Sequence, residues 1–414
     1  MYRPAEYYVS PSMGEFTPKT NADELVDAFH DIAHNRIIVP GEVIRADDVD
    51  DTPMRRLDVV PEHGIYMNVH PQTLHITQDT AQTLEGLMAD WFRHYPEEPT
   101  YARREHGVPM VLTRFDGIIR PDGEIGLCEF DDVPTMFSAL RGINPVAASY
   151  VDAAADQLGA PLYSAFLPEE GYVYPHDDHL WLPSTGDAPL PEVAVIPRAR
   201  RSHPDFGRFM DQWGEQSAVA AWERDNKGPL AAMDMGVLAA NLTVALEVGE
   251  RLKGERPVVL KGLKSSRTEA AGVMAASRFK IRGSASPGQL ARKFAGAGID
   301  LQEDRTMVLQ PFYKPPTMDE LGLKFRDGDS ATMAAADARN STAAELVKPG
   351  NEGKYHVLSR IYGVYLPGEN ADAKGRHVII GGFWMARPNA AIIHGASDAI
   401  VGKMEVDGLE RYAA

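Results

Sequence analysis

One cysteine, Cys128, stands in 414 residues, so no disulfide can close within the chain. No stretch approaches the ~18 consecutive apolar residues of a membrane-spanning helix. Met1 to Glu15 is polar and aromatic, without the basic start and apolar stretch of a secretory signal. These absences point to the cytoplasm and to partners that exclude a membrane. Positive charge is also scarce: 42 Lys+Arg against 59 Asp+Glu give a formal net charge of −17. That balance excludes a general nucleic-acid binder, whose surface must neutralise phosphates. Repeats and low-complexity tracts are lacking too. What is present is 44% hydrophobic and 24% charged residues, a globular composition able to bury a core, at a length that suits two or three domains.

Apolar residues at helical spacing predict a helix over 21–35 behind Asn21, and a second over 80–95 behind Thr80, with Leu84, Leu87, Met88 and Trp91 on one face. Two strand-like segments, VPMVLTRFDGII and EIGLCEFD, flank Pro121-Asp122-Gly123 and predict a β-hairpin. A helix follows near 144–158, then a Pro-rich, loop-rich stretch over 161–204 and a helix-rich block over 206–252. Strands are predicted at 257–261, 307–310, 355–366 and 377–387. The class is α+β, with mixed or antiparallel sheets and flanking helices. Cys128 lies in the apolar part of the hairpin beside Glu129, a setting that suits packing better than nucleophilic chemistry.

The hairpin carries the first chemical constellation. Side chains alternate along a strand, so Arg114 and Asp116 share one face of the first strand, and Glu129 and Asp131 one face of the second. A two- or four-residue connection places Asp116 opposite Glu129 and Arg114 opposite Asp131. A three-residue turn with a glycine bulge puts the acids on opposite faces, and a further bulge restores them. Three converging carboxylates need a counter-ion, and Mg²⁺ is a hard cation that prefers oxygen ligands. The alternative is an exposed hairpin in which Arg114 pairs with one acid.

Arg-x-Asp followed, after a short turn, by Glu-x-(Asn/Asp) on an adjoining strand resembles the metal-binding pattern of the glutathionylspermidine synthase branch of the ATP-grasp superfamily. Here the two motifs read RFD and EFD. The next residues, DDVPTMFSAL, are similar to that family's stretch after its ligands. Trp222-Glu223-Arg224-Asp225-Asn226-Lys227 resembles its W…NK stretch, and VVLKGLKSSRTEAAGV its Val-Leu-Lys strand and phosphate-covering loop. The resemblance covers Arg114 to about Gln310 with gaps. Asp131 stands where the family commonly has Asn, and the loop after Lys261 lacks its Pro and Arg-Glu-Gly order. No amidase-like Cys/His domain precedes the match, so no double-headed activity is implied. The resemblance implies an ATP-grasp-like fold, Mg²⁺ held by Asp116, Glu129 and Asp131, and Arg114 against a reacting acyl phosphate. The chain then divides into an N-terminal substrate-binding α/β region (1–105), a metal-binding hairpin and substrate region (106–215), and a nucleotide-binding region (216–414).

The residues of that last region are read beside the resemblance. Lys261, Lys264 and Arg267 recur at every third position, interleaved with Ser265, Ser266 and Thr268. A triphosphate needs such cations and hydroxyl donors on a pliable loop, although a solvated basic turn has the same composition. Gln310 ends a short apolar strand that, by the resemblance to ATP-grasp hinges, offers backbone groups to adenine. Arg360 lies among apolar alternating neighbours, His356, Leu358, Tyr362 and Val364, and requires a buried partner, phosphate among the candidates. Arg387, Asn389, His394 and Asp398 sit amid small and apolar residues near the C-terminus, either lining the site or forming a structural pair. His176-Asp177-Asp178-His179 has zinc-like spacing but no matching second pair, and reads as a polar loop. Arg198, Arg200 and Arg201 face an anionic substrate or solvent.

The leading expectation is an ATP-dependent carboxylate–amine ligase using ATP and Mg²⁺, whose partners are a small-molecule or peptide carboxylate and an amine. A non-catalytic nucleotide or metabolite-binding protein on the same fold is the second reading. A metal-dependent hydrolase is the third, and it leaves the Lys261 to Arg267 segment without a role.

Overall fold

The computed structural model describes residues 8–9, 20–35, 38–39, 45–46, 52–60, 65–94, 112–119, 125–131, 137–158, 163–165, 179–181, 232–235, 237–252, 258–262, 279–281, 307–336, 341–366, 376–388, 393 and 399–410. Its strands are β1 (Tyr8–Val9), β2 (Ile38–Val39), β3 (Arg45–Ala46), β4 (Arg55–Val60), β5 (Ile65–Ile76), β6 (Leu112–Ile119), β7 (Ile125–Asp131), β8 (Tyr163–Ala165) and β9 (His179–Trp181). They continue as β10 (Ala232–Met235), β11 (Val237–Ala239), β12 (Val258–Gly262), β13 (Phe279–Ile281), β14 (Met307–Pro311), β15 (His356–Leu366), β16 (Arg376–Arg387) and β17 (Ile400–Val406). The helices are α1 (Ala22–Asn35), α2 (Gln78–His94), α3 (Phe137–Ile143), α4 (Pro145–Leu158), α5 (Leu242–Arg251), α6 (Asp329–Ala336) and α7 (Ser341–Ala344).

Eleven strands form one mixed sheet in the order β1-β10-β7-β6-β15-β16-β17-β5-β3, with β2 also on β7 and β4 also on β5. Only β17 and β5 run parallel in it. Residues from 1–105, 106–215 and 216–414 all contribute strands to this sheet. A smaller antiparallel sheet has the order β11-β14-β12-β13, and β8 pairs with β9.

Both faces of the large sheet are covered. One packs Phe115, Ile361 and Trp384 in a core cluster with Leu84 and Met88 of α2, while Leu25 and Phe29 of the same cluster belong to α1, which packs on β11, β14 and α5. The other packs Leu358, Tyr362 and Phe383 against Leu140 of α3 and Ala147 and Val151 of α4. Strands covered on both sides carry near-continuous apolar runs, and β16, with RHVIIGGFWMAR, is buried from Val378 to Ala386.

The helix starts are chemically marked. Asn21 precedes α1, its carbonyl bonded by Leu25 N–H and its side-chain oxygen by Asp23 N–H. The second helix begins earlier than its pattern suggested: Thr77, not Thr80, takes the cap position, its hydroxyl oxygen accepting the Thr80 N–H at 3.3 Å. Asn144 caps α4 through Ala147 N–H and donates from Nδ2 to the carbonyls of Gly382 and Met404, tying the helix to β16 and β17. Within the expected helix-rich block, β10 and β11 are strands and α5 spans Leu242–Arg251, whereas 206–231 lie outside the described residues. The strands β10 and β11 pair with β7 and β14, so long-range pairing outweighs local helix preference there.

The hairpin register settles the question its turn left open. Near the turn Ile119 faces Ile125, Ile118 faces Gly126 and Gly117 faces Leu127; one residue on, Asp116 faces Glu129. Cys128 is therefore an extra residue on β7, a bulge of the kind that re-aims side chains. Without it, Asp116 would face Cys128, and Glu129 would fall on the opposite side of the sheet. Cys128 packs, half-buried, against the α3/α4 side of the core, as expected of a packing residue.

Candidate functional site

The antiparallel ladders bring residues from four strands into two adjacent rows. On β15, Arg360 lies opposite Asp116 and Tyr362 opposite Arg114. On β7, Glu129 lies opposite Asp116 and Asp131 opposite Arg114. On β10, Asp234 lies opposite Glu129 and Ala232 opposite Asp131. Directly opposed residues share a face, so the first row reads Arg360, Asp116, Glu129, Asp234, and the second Tyr362, Arg114, Asp131, Ala232. Four carboxylate positions and two guanidinium positions therefore occupy one side of the sheet.

At the arginine end the contacts are buried. Arg114 Nε donates to Asp116 Oδ1 at 2.7 Å, and Arg360 Nε lies 3.5 Å from Asp116 Oδ2. The three side chains are 4%, 8% and 2% exposed for Arg114, Arg360 and Asp116. Arg114 does pair with an acid, but in the interior and not on an exposed hairpin. Arg360 has its buried partner in the same carboxylate. Removing one member of such a pair leaves an uncompensated charge at a cost of about 3–5 kcal/mol. Tyr362 is fully buried beside them, its ring 5.7 Å from that of Phe383. Burial pushes its phenol up to about 12, against the lowering influence of Arg114 and Arg360, so it stays neutral. Among the described residues no three His, Cys, Asp or Glu side chains converge on one point; strand register places the carboxylate rows.

The small sheet gathers a second set. Lys261 of β12 lies opposite Val308, and Val259, two residues earlier, lies opposite both Gln310 of β14 and Lys280 of β13. Lys261, Lys280 and Gln310 therefore share one face. The other face carries Leu309, buried with Ala245 and Val248 of α5. Strands β10 and β14 approach within 8 Å between Cα atoms, so the sheet bearing the lysines adjoins the strand bearing Asp234.

No family model matches this chain. No curated protein and no solved structure matches it either.

Of the residues singled out from sequence, the fold brings Arg114, Asp116, Glu129, Asp131 and Arg360 together on the large sheet, and Lys261 with Gln310 on the small one. Lys264, Ser266, Arg267, Asn389, His394, Asp398, His176, Asp177, Asp178, Arg198, Arg200 and Arg201 lie outside the described residues. His179 opens β9, and Arg387 lies opposite His356 at the far end of β15. Two positions escaped the sequence reading: Asp234 and Lys280. Each is a single charged residue between apolar neighbours, Met-Asp-Met and Phe-Lys-Ile, the one polar position of a short strand.

Proposed function

We propose that the chain is an ATP-dependent carboxylate–amine ligase of ATP-grasp type. The observation that supports it most is the hairpin register, which puts Asp116 opposite Glu129 and Arg114 opposite Asp131 beside Arg360. An exposed, solvated hairpin would not hold two guanidiniums and a carboxylate at such low exposure. The adjoining small sheet places Lys261, Lys280 and Gln310 on one of its faces, the composition a nucleotide's phosphates and base require.

Asp116, Glu129 and Asp131 present only oxygen donors, which fits a hard cation such as Mg²⁺, and Asp234 adds a fourth carboxylate position to the row. When bound, Mg²⁺ neutralises charge on the transferring phosphoryl group. A substrate carboxylate oxygen attacks the γ-phosphorus of ATP and ADP leaves, giving an acyl phosphate. The amine then attacks the acyl carbon, phosphate departs with the C–O bonding pair, and the nitrogen loses its proton. The protein's part is positioning and charge stabilisation: Arg114 and Arg360 meet negative charge at the reacting group, and Lys261 grips the phosphates.

The test is calorimetric titration of Mg²⁺-ADP and a non-hydrolysable ATP analogue into wild type, Lys261→Ala and Glu129→Gln. The expected result is saturable wild-type binding, weakened about tenfold by Lys261→Ala, with Mg²⁺ dependence lost in Glu129→Gln. A folded wild type that binds neither nucleotide refutes the proposal. Nucleotide binding without phosphate release for any acid and amine pair would assign a binding protein instead of a ligase.

A further inference from the structure

We infer that Tyr313 is a positioning residue, whose ring sets the spacing between the strand that carries Gln310 and the hairpin that carries the carboxylate row. This rests on the ligase reading and deepens it. Tyr313 is buried two residues beyond the end of β14 and three beyond Gln310. A Cβ placed on Gly126 would lie 3.0 Å from Tyr313 Cγ and 3.2 Å from both Cδ1 and Cδ2. Those nearly equal distances put Gly126 under the face of the ring, so the ring rests on the backbone of β7 where any side chain would lift it. Gly126 comes three residues before Glu129, and it faces Ile118, two residues beyond Asp116. Ile118 and Tyr313 belong to the core cluster that also holds Leu358 and Tyr362 of β15. The ring therefore stands on the face that bears the arginine and carboxylate rows, about 7 Å along the strand from the row of Asp116.

The chain beyond the ring is stiff. Pro315 and Pro316 fix their own φ angles, and the Pro316 carbonyl accepts the Val357 N–H at 2.8 Å while the Tyr355 carbonyl accepts the Met318 N–H at 2.9 Å. His356 Nδ1 lies 3.2 Å from the Pro315 carbonyl oxygen. Tyr313 thus sits on a short link between β14 and the start of β15, whose Arg360 lies opposite Asp116. The two sheets also meet where β10 approaches β14 and where α1 packs on β11 and β14. Those contacts hold the sheets together, and the Tyr313 ring adds a fixed thickness between Gln310 and Glu129. That thickness matters to the chemistry, because Mg²⁺ demands oxygens at about 2.0–2.1 Å in near-ideal geometry. A nucleotide held by β12 and β14 shares a cation with the hairpin only at one spacing. A flexible aliphatic side chain would fill the same volume, whereas a flat ring on bare backbone defines a distance.

The experiment measures ADP binding by calorimetry in excess Mg²⁺ and in EDTA for wild type, Tyr313→Ala, Tyr313→Phe, Gly126→Ala and Val151→Ala, with melting temperatures recorded. The ratio of the two dissociation constants is the Mg²⁺ advantage, which reports the coupling between nucleotide and cation. It is expected to fall about tenfold in Tyr313→Ala and in Gly126→Ala, whose added methyl lifts the ring, while ADP in EDTA binds within about twofold of wild type. Tyr313→Phe keeps the ring and should keep the advantage. Val151→Ala truncates α4 in the same core cluster, and is expected to lower the melting temperature without changing the advantage. An advantage retained in folded Tyr313→Ala or Gly126→Ala overturns the inference, as does one lost in Tyr313→Phe or Val151→Ala. If Tyr313→Ala does not fold, Gly126→Ala decides; if neither folds, the ring has a purely structural role and the inference falls. Wild type that binds no ADP, or binds it without a Mg²⁺ advantage, removes the ligase reading and the inference with it; a wild-type advantage that Tyr313→Ala keeps removes the inference alone.

Discussion

Asp116 is shared by two buried guanidiniums, and that sharing has a measurable energy. Unit charges 3.5 Å apart attract by about 5 kcal/mol at an effective dielectric constant of about 20. Desolvation offsets part of this, so the coupling between Asp116 and Arg360 is expected at about 1–3 kcal/mol in a double-mutant cycle. The cycle uses Asp116→Asn, Arg360→Met and the double variant, with urea unfolding followed through tryptophan fluorescence. Trp384, fully buried on β16, reports on the same sheet. Asp116→Asn alone withdraws the shared carboxylate charge from two guanidiniums and is expected to cost about 3–5 kcal/mol. Arg360→Met alone should cost less, because Asp116 keeps its 2.7 Å bond from Arg114 Nε. The double variant is then expected to be more stable than the sum of the single effects implies. Additivity within about 0.5 kcal/mol would refute the shared-carboxylate reasoning.

Three further outcomes are expected. The Tyr362 phenol titrates near 12 in the folded chain and near ~10 when unfolded, so its contribution to stability is intact below pH ~10 and lost as pH rises through 12. Tyr362→Phe should therefore shrink the alkaline loss of stability by about 2 kcal/mol, read by urea midpoints between pH 9 and 11.5; an identical pH dependence in the two proteins contradicts it. Asn144→Ala removes the α4 cap and two bonds to sheet carbonyls, which should cost about 2–4 kcal/mol by chemical denaturation; a change under about 1 kcal/mol would count against this anchoring role. Gly381 has φ of +89°, and a Cβ there would lie 2.4 Å from the Met404 carbonyl oxygen. Gly381→Ala should lower stability by about 2–3 kcal/mol, and a variant as stable as wild type in a thermal melt would show that the bend relaxes freely.

The helices were legible where cap and periodicity agree. Asn21 and Asn144 are short polar residues ahead of apolar 3.6-residue patterns, and both stand at helix starts. Thr80 misled because Thr77 offers the same hydroxyl one turn earlier, and the pair bond each other. The hairpin was visible, but its register was not: the deciding bulge at Cys128 lies between the turn and the acids and has no turn-residue signature. The partners across the sheet were hidden for a different reason. Arg360 and Asp116 are adjacent strand partners separated by most of the chain, and a single sequence carries no local mark of such a pairing. Strands β10 and β13 are short enough that Asp234 and Lys280 give only one polar position each, too little for a period.

The order of strands also sets the order in which the chain can be completed. The hairpin of β6 and β7 precedes β15 by more than two hundred residues, yet β15 fills the place beside β6, and β16 and β17 must follow before β5 gains its parallel neighbour. At about 5–20 residues per second, the edge of β6 waits some tens of seconds on the ribosome with Arg114 and Asp116 short of their third partner. Holding apolar Phe115 and Ile119 out of solvent during that interval requires a temporary cover, either α2 or a chaperone. Nascent chains stalled ahead of β15 should therefore be protease-sensitive in the hairpin, and release of β15 from the tunnel should end that sensitivity in a single step.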